Sequence, residues 1–232
     1  MSSHKLWLRG QMSARRLDLS GEDLEGVDLT TAELRKAKLT GTRLSLAILA
    51  GADLREADLF AANLEDADLT RADLSAANLR GACLRQAKLI DARLVRADLR
   101  PGVLIAVQRG GAPHHHAPRP EPAAHVCAQV PPGQRNRADC TEARMTGADL
   151  SNARLAGCLL AGVSLANATL TGADLRDATL VGADLSGADL RGANLIGALL
   201  DDARLDGADV TGAKMSPELQ ARFGVGAQPE DD

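Results

Sequence analysis

The chain has 232 residues, a formal net charge of −4 and 45% hydrophobic residues, yet aromatic residues make up only 1% of it. That shortage argues against one wide globular core, which normally uses aromatic bulk. The four cysteines give no disulfide framework, and no apolar run is long enough to span a membrane.

Residues 1–16 form the first predicted element, an N-terminal cap. Its one apolar patch, Leu6-Trp7-Leu8, is too short for a signal-peptide core, and with basic Arg15-Arg16 it is expected to lie over the start of the fold. Residues 17–104 follow as the first part of a repeat. From Leu19 to Leu104 every fifth residue is Leu, at all eighteen positions. Two residues before the Leu stands, in most repeats, a small residue, usually Ala, and between them an Asp, Asn or other polar residue. The unit is A(D/N)LXX.

Residues 105–137 interrupt this rhythm. The segment holds six prolines, Gly110-Gly111, the run His114-His115-His116, His125 and Cys127. Proline at that density cannot donate to a β-ladder, so the segment is expected to leave the fold as a loop. From Cys140 to Met215, within residues 138–215, the rhythm resumes one residue out of phase. The central residue is Leu twelve times in sixteen, with Cys140, Met145, Val210 and Met215 as exceptions. Gly fills ten of the sixteen fifth positions, from Gly147 to Gly212, where a corner needs φ > 0. In residues 216–232, Ser216-Pro217-Glu218 is a helix start. A short C-terminal capping helix is expected there, running to about Phe223, with a disordered tail beyond it.

A period of five excludes ordinary elements. Five helical residues advance about 500°, so no apolar stripe forms. In a flat strand an odd period throws successive leucines onto opposite faces. The pattern works only if the chain turns a corner every five residues, with the small residue and the Leu facing inward and the residue between them facing out. Repeated corners close into a coil, and stacked coils satisfy one another's backbone groups.

Runs such as Ala52-Asp53-Leu54-Arg55-Glu56 and Ala183-Asp184-Leu185-Ser186-Gly187 closely resemble the repeat of the pentapeptide-repeat family, and the resemblance covers about 34 repeats, or 170 of the 232 residues. It implies an all-β fold: a right-handed quadrilateral β-helix with twenty residues per coil. About 8.5 coils would result, in a rod roughly 40 Å long at about 4.8 Å per layer, with one long loop insertion. Cys140 and Cys158 fall on inward positions, Cys83 on an outward one, and all are read as thiols of a reducing cytoplasm.

No catalytic constellation accompanies the repeat. Paired acids such as Asp201-Asp202 and Glu65-Asp66 sit on outward turn positions, no glycine motif cradles a phosphate, and a narrow filled coil leaves no interior pocket. The expectation is a non-enzymatic protein without a cofactor, offering a rigid scaffold or binding surface to an unidentified protein partner. Neither direct nucleic-acid binding nor membrane insertion is expected. The state is a monomer, or a homodimer through the C-terminal end.

Two alternatives stand beside it. Family members include quinolone-resistance proteins that resemble a DNA duplex and engage a type II topoisomerase (gyrase). Residues 138–232 carry 7 basic and 15 acidic side chains, which suits that resemblance. Asp149, Asp189 and Asp209 would stack on one face with Thr169 between them. Against it, Arg80, Arg93, Arg96 and Arg100 point outward in the first part. The other alternative is metal binding through the histidines of the loop, although their spacing fits no structural zinc motif. Outward Ile48, Leu159 and Leu199 are further candidates for a contact face, the last two sharing one face two coils apart.

Overall fold

The computed structural model describes residue 6 and residues 8–10, 15–102 and 137–222. Within them the backbone makes parallel β-bridges at one residue in five, which within each of the two runs link positions twenty apart: Asp18 to Lys38, Asp23 to Arg43, Asp28 to Ile48, Glu33 to Asp53 and onward. The bridges fall into four columns. We call column 1 the one that starts at Asp18, column 2 at Asp23, column 3 at Asp28 and column 4 at Glu33.

Each of the five positions has its own backbone duty. The N–H of the central residue donates to a carbonyl of the next coil, as Leu34 does to Asp53 at 2.8 Å. The fifth residue does likewise, as Lys36 does to Arg55 at 2.8 Å. The outward residue donates the other way, as Asp53 does to Ala32 at 3.0 Å, and the small residue closes the turn, as Ala37 does to Leu34 at 2.9 Å. One N–H per repeat is left, that of the residue after the Leu, and the outward Asp or Asn takes it. Asp53 accepts from Arg55 N–H at 3.1 Å, Asn63 from Glu65 at 3.0 Å and Asp68 from Thr70 at 3.0 Å. The polar letter of the repeat is therefore a turn cap, and where it is Asp or Asn it satisfies that fifth donor.

The corner demands a left-handed residue. Every fifth residue from Gly21 to Arg96 and from Glu142 to Gly212 has a φ between 53° and 74°. A turn closed from the central carbonyl to the small residue's N–H needs that sign at its third position, as a type II turn does. Inside, Leu34 to Leu99 and Cys140 to Leu195 at the central positions form a continuous column that is at most 1% exposed, walled by alanines. The terminal leucines Leu17, Leu19, Leu24 and Leu205 are only partly buried.

Across the interruption the bridges run from Cys83 to Asp139, Lys88 to Arg144, Arg93 to Asp149 and Asp98 to Arg154. The step widens from twenty residues to fifty-six while the columns continue unbroken. The slot above Leu84 is filled by Cys140, since Leu84 N–H donates to Asp139 O at 2.7 Å. Leu104 and residues 105–136 of the loop expected at 105–137 lie outside the described residues.

Cys140 and Cys158 are buried free thiols inside the coil, as expected, with their sulfurs 3.8 Å apart. The Cys158 sulfhydryl and burial push the Cys140 thiol up. Cys83 corrects its expectation. Its outward slot is fully buried against Leu159, and it is disulfide-bonded.

The C-terminal helix, α1, spans Pro217–Arg222. Ser216 Oγ accepts from Leu219 N–H at 3.4 Å, Leu219 packs on the core, and Arg222 donates to the Leu200 carbonyl at 2.9 Å. Phe223, expected to help cover the last coil, lies outside the described residues, as does Trp7 of the expected N-terminal lid.

Candidate interaction surfaces

The outward residues of the four columns and the turns between them are what the coil leaves for recognition. Column 4 stacks Arg93, Asp149, Thr169, Asp189 and Asp209 in that order, so the three acids and the threonine share one face as expected. Their charge is partly spent within the turn. Asp149 accepts from Ser151 N–H at 3.0 Å and its hydroxyl at 2.6 Å. Asp189 takes Arg191 Nε and Nη2 at 2.9 and 2.7 Å, and Arg191 also lies 3.7 Å from Asp209. The Arg191 side-chain hydrogen bond holds the Asp189 carboxyl far below the usual carboxylate range.

The same Asp-x-Arg fork recurs at Asp53 with Arg55, Asp98 with Arg100 and Asp174 with Arg176. It was legible as A-D-L-R in the sequence, yet a charge count alone missed it. Arg16, expected in the N-terminal cap, and Arg137, expected in the loop, instead open the two runs. Arg16 Nε donates to the Lys36 carbonyl and Arg137 Nε to the Gly157 carbonyl, each twenty residues on. They occupy equivalent slots and cover backbone acceptors at a coil edge.

The expected outward arginines separate. Arg93 joins column 4. Arg100 is committed to Asp98 at 2.9 and 2.7 Å. Arg80 is half-buried, with Nε and Nη2 at 3.4 and 3.3 Å from the Pro101 carbonyl. Arg96 is exposed. Arg80 and Arg96 line a groove of about 680 Å³ beside column 1, together with Ala76, Ala77, Asn78, Asp98, Asn152 and Arg154.

Exposed apolar residues form two small sites. Leu46, 56% exposed, adopts φ 60° in a corner just before Ile48. Ile196 and Leu199 are 51% and 52% exposed, and Leu199 caps the run of Leu159 and Thr179 in column 2. Leu159 and Leu199 thus do share a face, although Leu159 is half-buried. Asp201 and Asp202 are exposed in their turn as expected. The histidines and Cys127 of the metal alternative lie outside the described residues; among the described residues no cluster of three His, Cys, Asp or Glu could hold an ion. Nor, among them, is any helix long and apolar enough to cross a membrane.

The family model described as pentapeptide repeats matches in 8 copies over residues 15–45, 46–75, 67–100, 138–177 and 178–216, well over half of the chain. Among solved structures, a trypsin-treated variant of QnrB1, a plasmid-mediated fluoroquinolone resistance protein, is 19% identical with a TM-score of 0.51, over 92% of this chain and 100% of that one. HetL, a pentapeptide-repeat protein involved in heterocyst differentiation regulation in the cyanobacterium Nostoc, is 30% identical over 90% of this chain and 92% of its own, at a TM-score of 0.24. A further Nostoc pentapeptide-repeat protein is 37% identical over 42% of this chain and 76% of its own, at a TM-score of 0.37. No curated protein matches the chain.

Proposed function

Because the chain belongs to the pentapeptide-repeat family, we propose that it is a non-enzymatic solenoid whose outer faces bind a protein partner. The observation that carries this reading is the division of labour within the repeat. Among the described residues, central and small residues are buried from Leu34 to Leu200, and the central, fifth, outward and small positions of the inner coils spend their backbone donors inside the coil. What remains is a fixed grid of outward side chains, repeated about every 4.8 Å along four columns. The acidic face at Asp149, Asp189 and Asp209 and the apolar pair Leu159 and Leu199 are its most distinctive patches. A right-handed quadrilateral coil of about 8.5 turns is our reading of the four bridge columns. A cytoplasmic site of action, and a monomer or a homodimer through the C-terminal end, belong to the same proposal.

Affinity capture tests it. The intact chain is compared with an Asp149→Asn/Asp209→Asn variant and with a Leu159→Asn/Leu199→Asn variant. A specific partner lost by one of these variants supports the reading. An identical set of captured proteins from all three sinks it.

A second reading, modulation of a type II topoisomerase, is favoured by the shared fold with a fluoroquinolone resistance protein and by the acidic second half. The argument against it is the Arg80, Arg96 and Arg154 groove, which a duplex mimic would not display. Unchanged DNA supercoiling and unchanged quinolone poisoning in the presence of the purified chain would reject it. The third reading, metal binding by the loop histidines, is rejected if zinc or nickel gives the same null heat with the intact chain and a loop deletion.

A further inference from the structure

We propose that the groove beside column 1 is a binding site for a phosphoryl group, presented by a small phosphorylated molecule. Three guanidinium groups, those of Arg80, Arg96 and Arg154, stand around it on successive coils. The single acid in its lining is Asp98. Both oxygens of that acid already accept from Arg100, at 2.9 and 2.7 Å, and Arg154 reaches it only at 3.7 Å. Arg80 is oriented by the Pro101 carbonyl through Nε and Nη2, which leaves Nη1 outside that contact. Arg96 has no ion pair among the described residues, and its side chain leaves a corner fixed at φ 59°.

The concavity has a cause in the sequence. Corner residues stack in the series Glu56, Ala76, Arg96 and Asn152, each before a column 1 residue. Ala76 removes a side chain where its neighbours carry long ones, and this opens the floor. Asn78 likewise places a neutral amide in column 1 between Asp58 and Asp98, and its Nδ2 is turned away to Asp58 at 2.8 Å. The result is a cationic hollow on a chain whose net charge is −4. Guanidinium forks match the paired oxygens of an oxyanion. A phosphoryl group presents three acceptor oxygens and two charges to three arginines, where a carboxylate presents two oxygens and one charge. The volume, about 680 Å³, falls in the range of small-molecule sites.

Isothermal titration of the full chain with inorganic pyrophosphate, at low ionic strength, tests the assignment. Citrate serves as the carboxylate arm. Arg96→Gln/Arg154→Gln removes two donors, and Ala76→Glu fills the floor with the side chain that Glu56 already places one coil below. Arg71→Gln is the control for a general effect of surface charge, since Arg71 is exposed and lies away from the groove. Pyrophosphate should bind the intact chain and the control alike, and about tenfold or more weaker to both groove variants. Thermal melts would show that all the variants are folded. Any of four results overturns the proposal: no heat with the intact chain, equal affinity in both groove variants, an equal loss in the Arg71 control, or citrate binding as tightly as pyrophosphate.

Discussion

The outward aspartates are held by their own turns, and this sets how the protein meets acid. Side-chain hydrogen bonds from Arg55, Thr70 and Arg176 hold Asp53, Asp68 and Asp174 below the usual carboxylate value, and Arg191 does the same to Asp189. At Asp98 burial pushes upward, but the Arg100 hydrogen bonds prevail and the value falls. A depressed folded value means that the unfolded chain binds more protons between the folded and unfolded pKa. Stability therefore rises with pH across that window. The contribution is fully present above about pH 4 and is lost as pH falls through the folded values. Melting temperature should be flat from neutrality to about pH 5 and fall below about pH 4. The fall should be smaller in an Asp53→Asn/Asp174→Asn variant, and a melting temperature unchanged down to pH 3 would refute the account.

Glycines offer a sharper residue-level test. Gly187, at φ 67°, sits under Asn167, whose Oδ1 would lie 2.5 Å from an added Cβ, whereas Gly192 at φ 65° has nothing within 4 Å. Both alanine variants carry the left-handed penalty of about 1 kcal/mol. Gly187→Ala should cost more than Gly192→Ala by roughly another 1 kcal/mol in denaturant unfolding, and Asn167→Gly should remove the difference.

At the scale of elements, α1 is six residues long and cannot hold its shape alone. Its stability comes from docking. Leu219 packs on the core end, and Arg222 reaches back to the Leu200 carbonyl. Leu219→Ala should therefore lower the melting temperature and speed hydrogen exchange first at the amides of Leu195 and Leu190, one coil below. Uniform exchange along the rod would contradict this. The helix start was legible because Ser216, Pro217 and Glu218 carry a local signal that needs no tertiary partner. The roles of Leu219 and Arg222 were not, because they depend on which surface the last coil presents.

For the whole molecule, the five-residue rhythm disclosed the coil because each position has one separate duty, and two of those duties, the buried Leu and the small inward residue beside it, restrict residue type strongly. What stayed hidden depends on neighbours in other coils. The burial of Cys83 against Leu159, the groove that Ala76 opens and the edge contacts of Arg16 and Arg137 arise between coils, where a linear pattern carries no signal. The ladder also predicts a large deletion. Removing residues 101–136 joins Arg100 to Arg137 and turns every step of fifty-six into a step of twenty. That shortened chain should fold with a cooperative melt and β-rich circular dichroism. By contrast Leu89→Ala, a cavity in the fully buried column, should cost about 3 kcal/mol in either background. Loss of folding on the deletion would show that the two runs need the missing segment to meet.

The step of fifty-six exceeds the regular twenty by thirty-six, a multiple of neither five nor twenty. The chain nevertheless passes from column 1 at Asp98 to column 2 at Asp139, the next column in order. Coil closure at that corner is therefore governed by the layer beneath and not by counting along the chain. The corner between Arg100 and Arg137 is thus a socket: a foreign segment of arbitrary length could be mounted there without shifting any face of the rod.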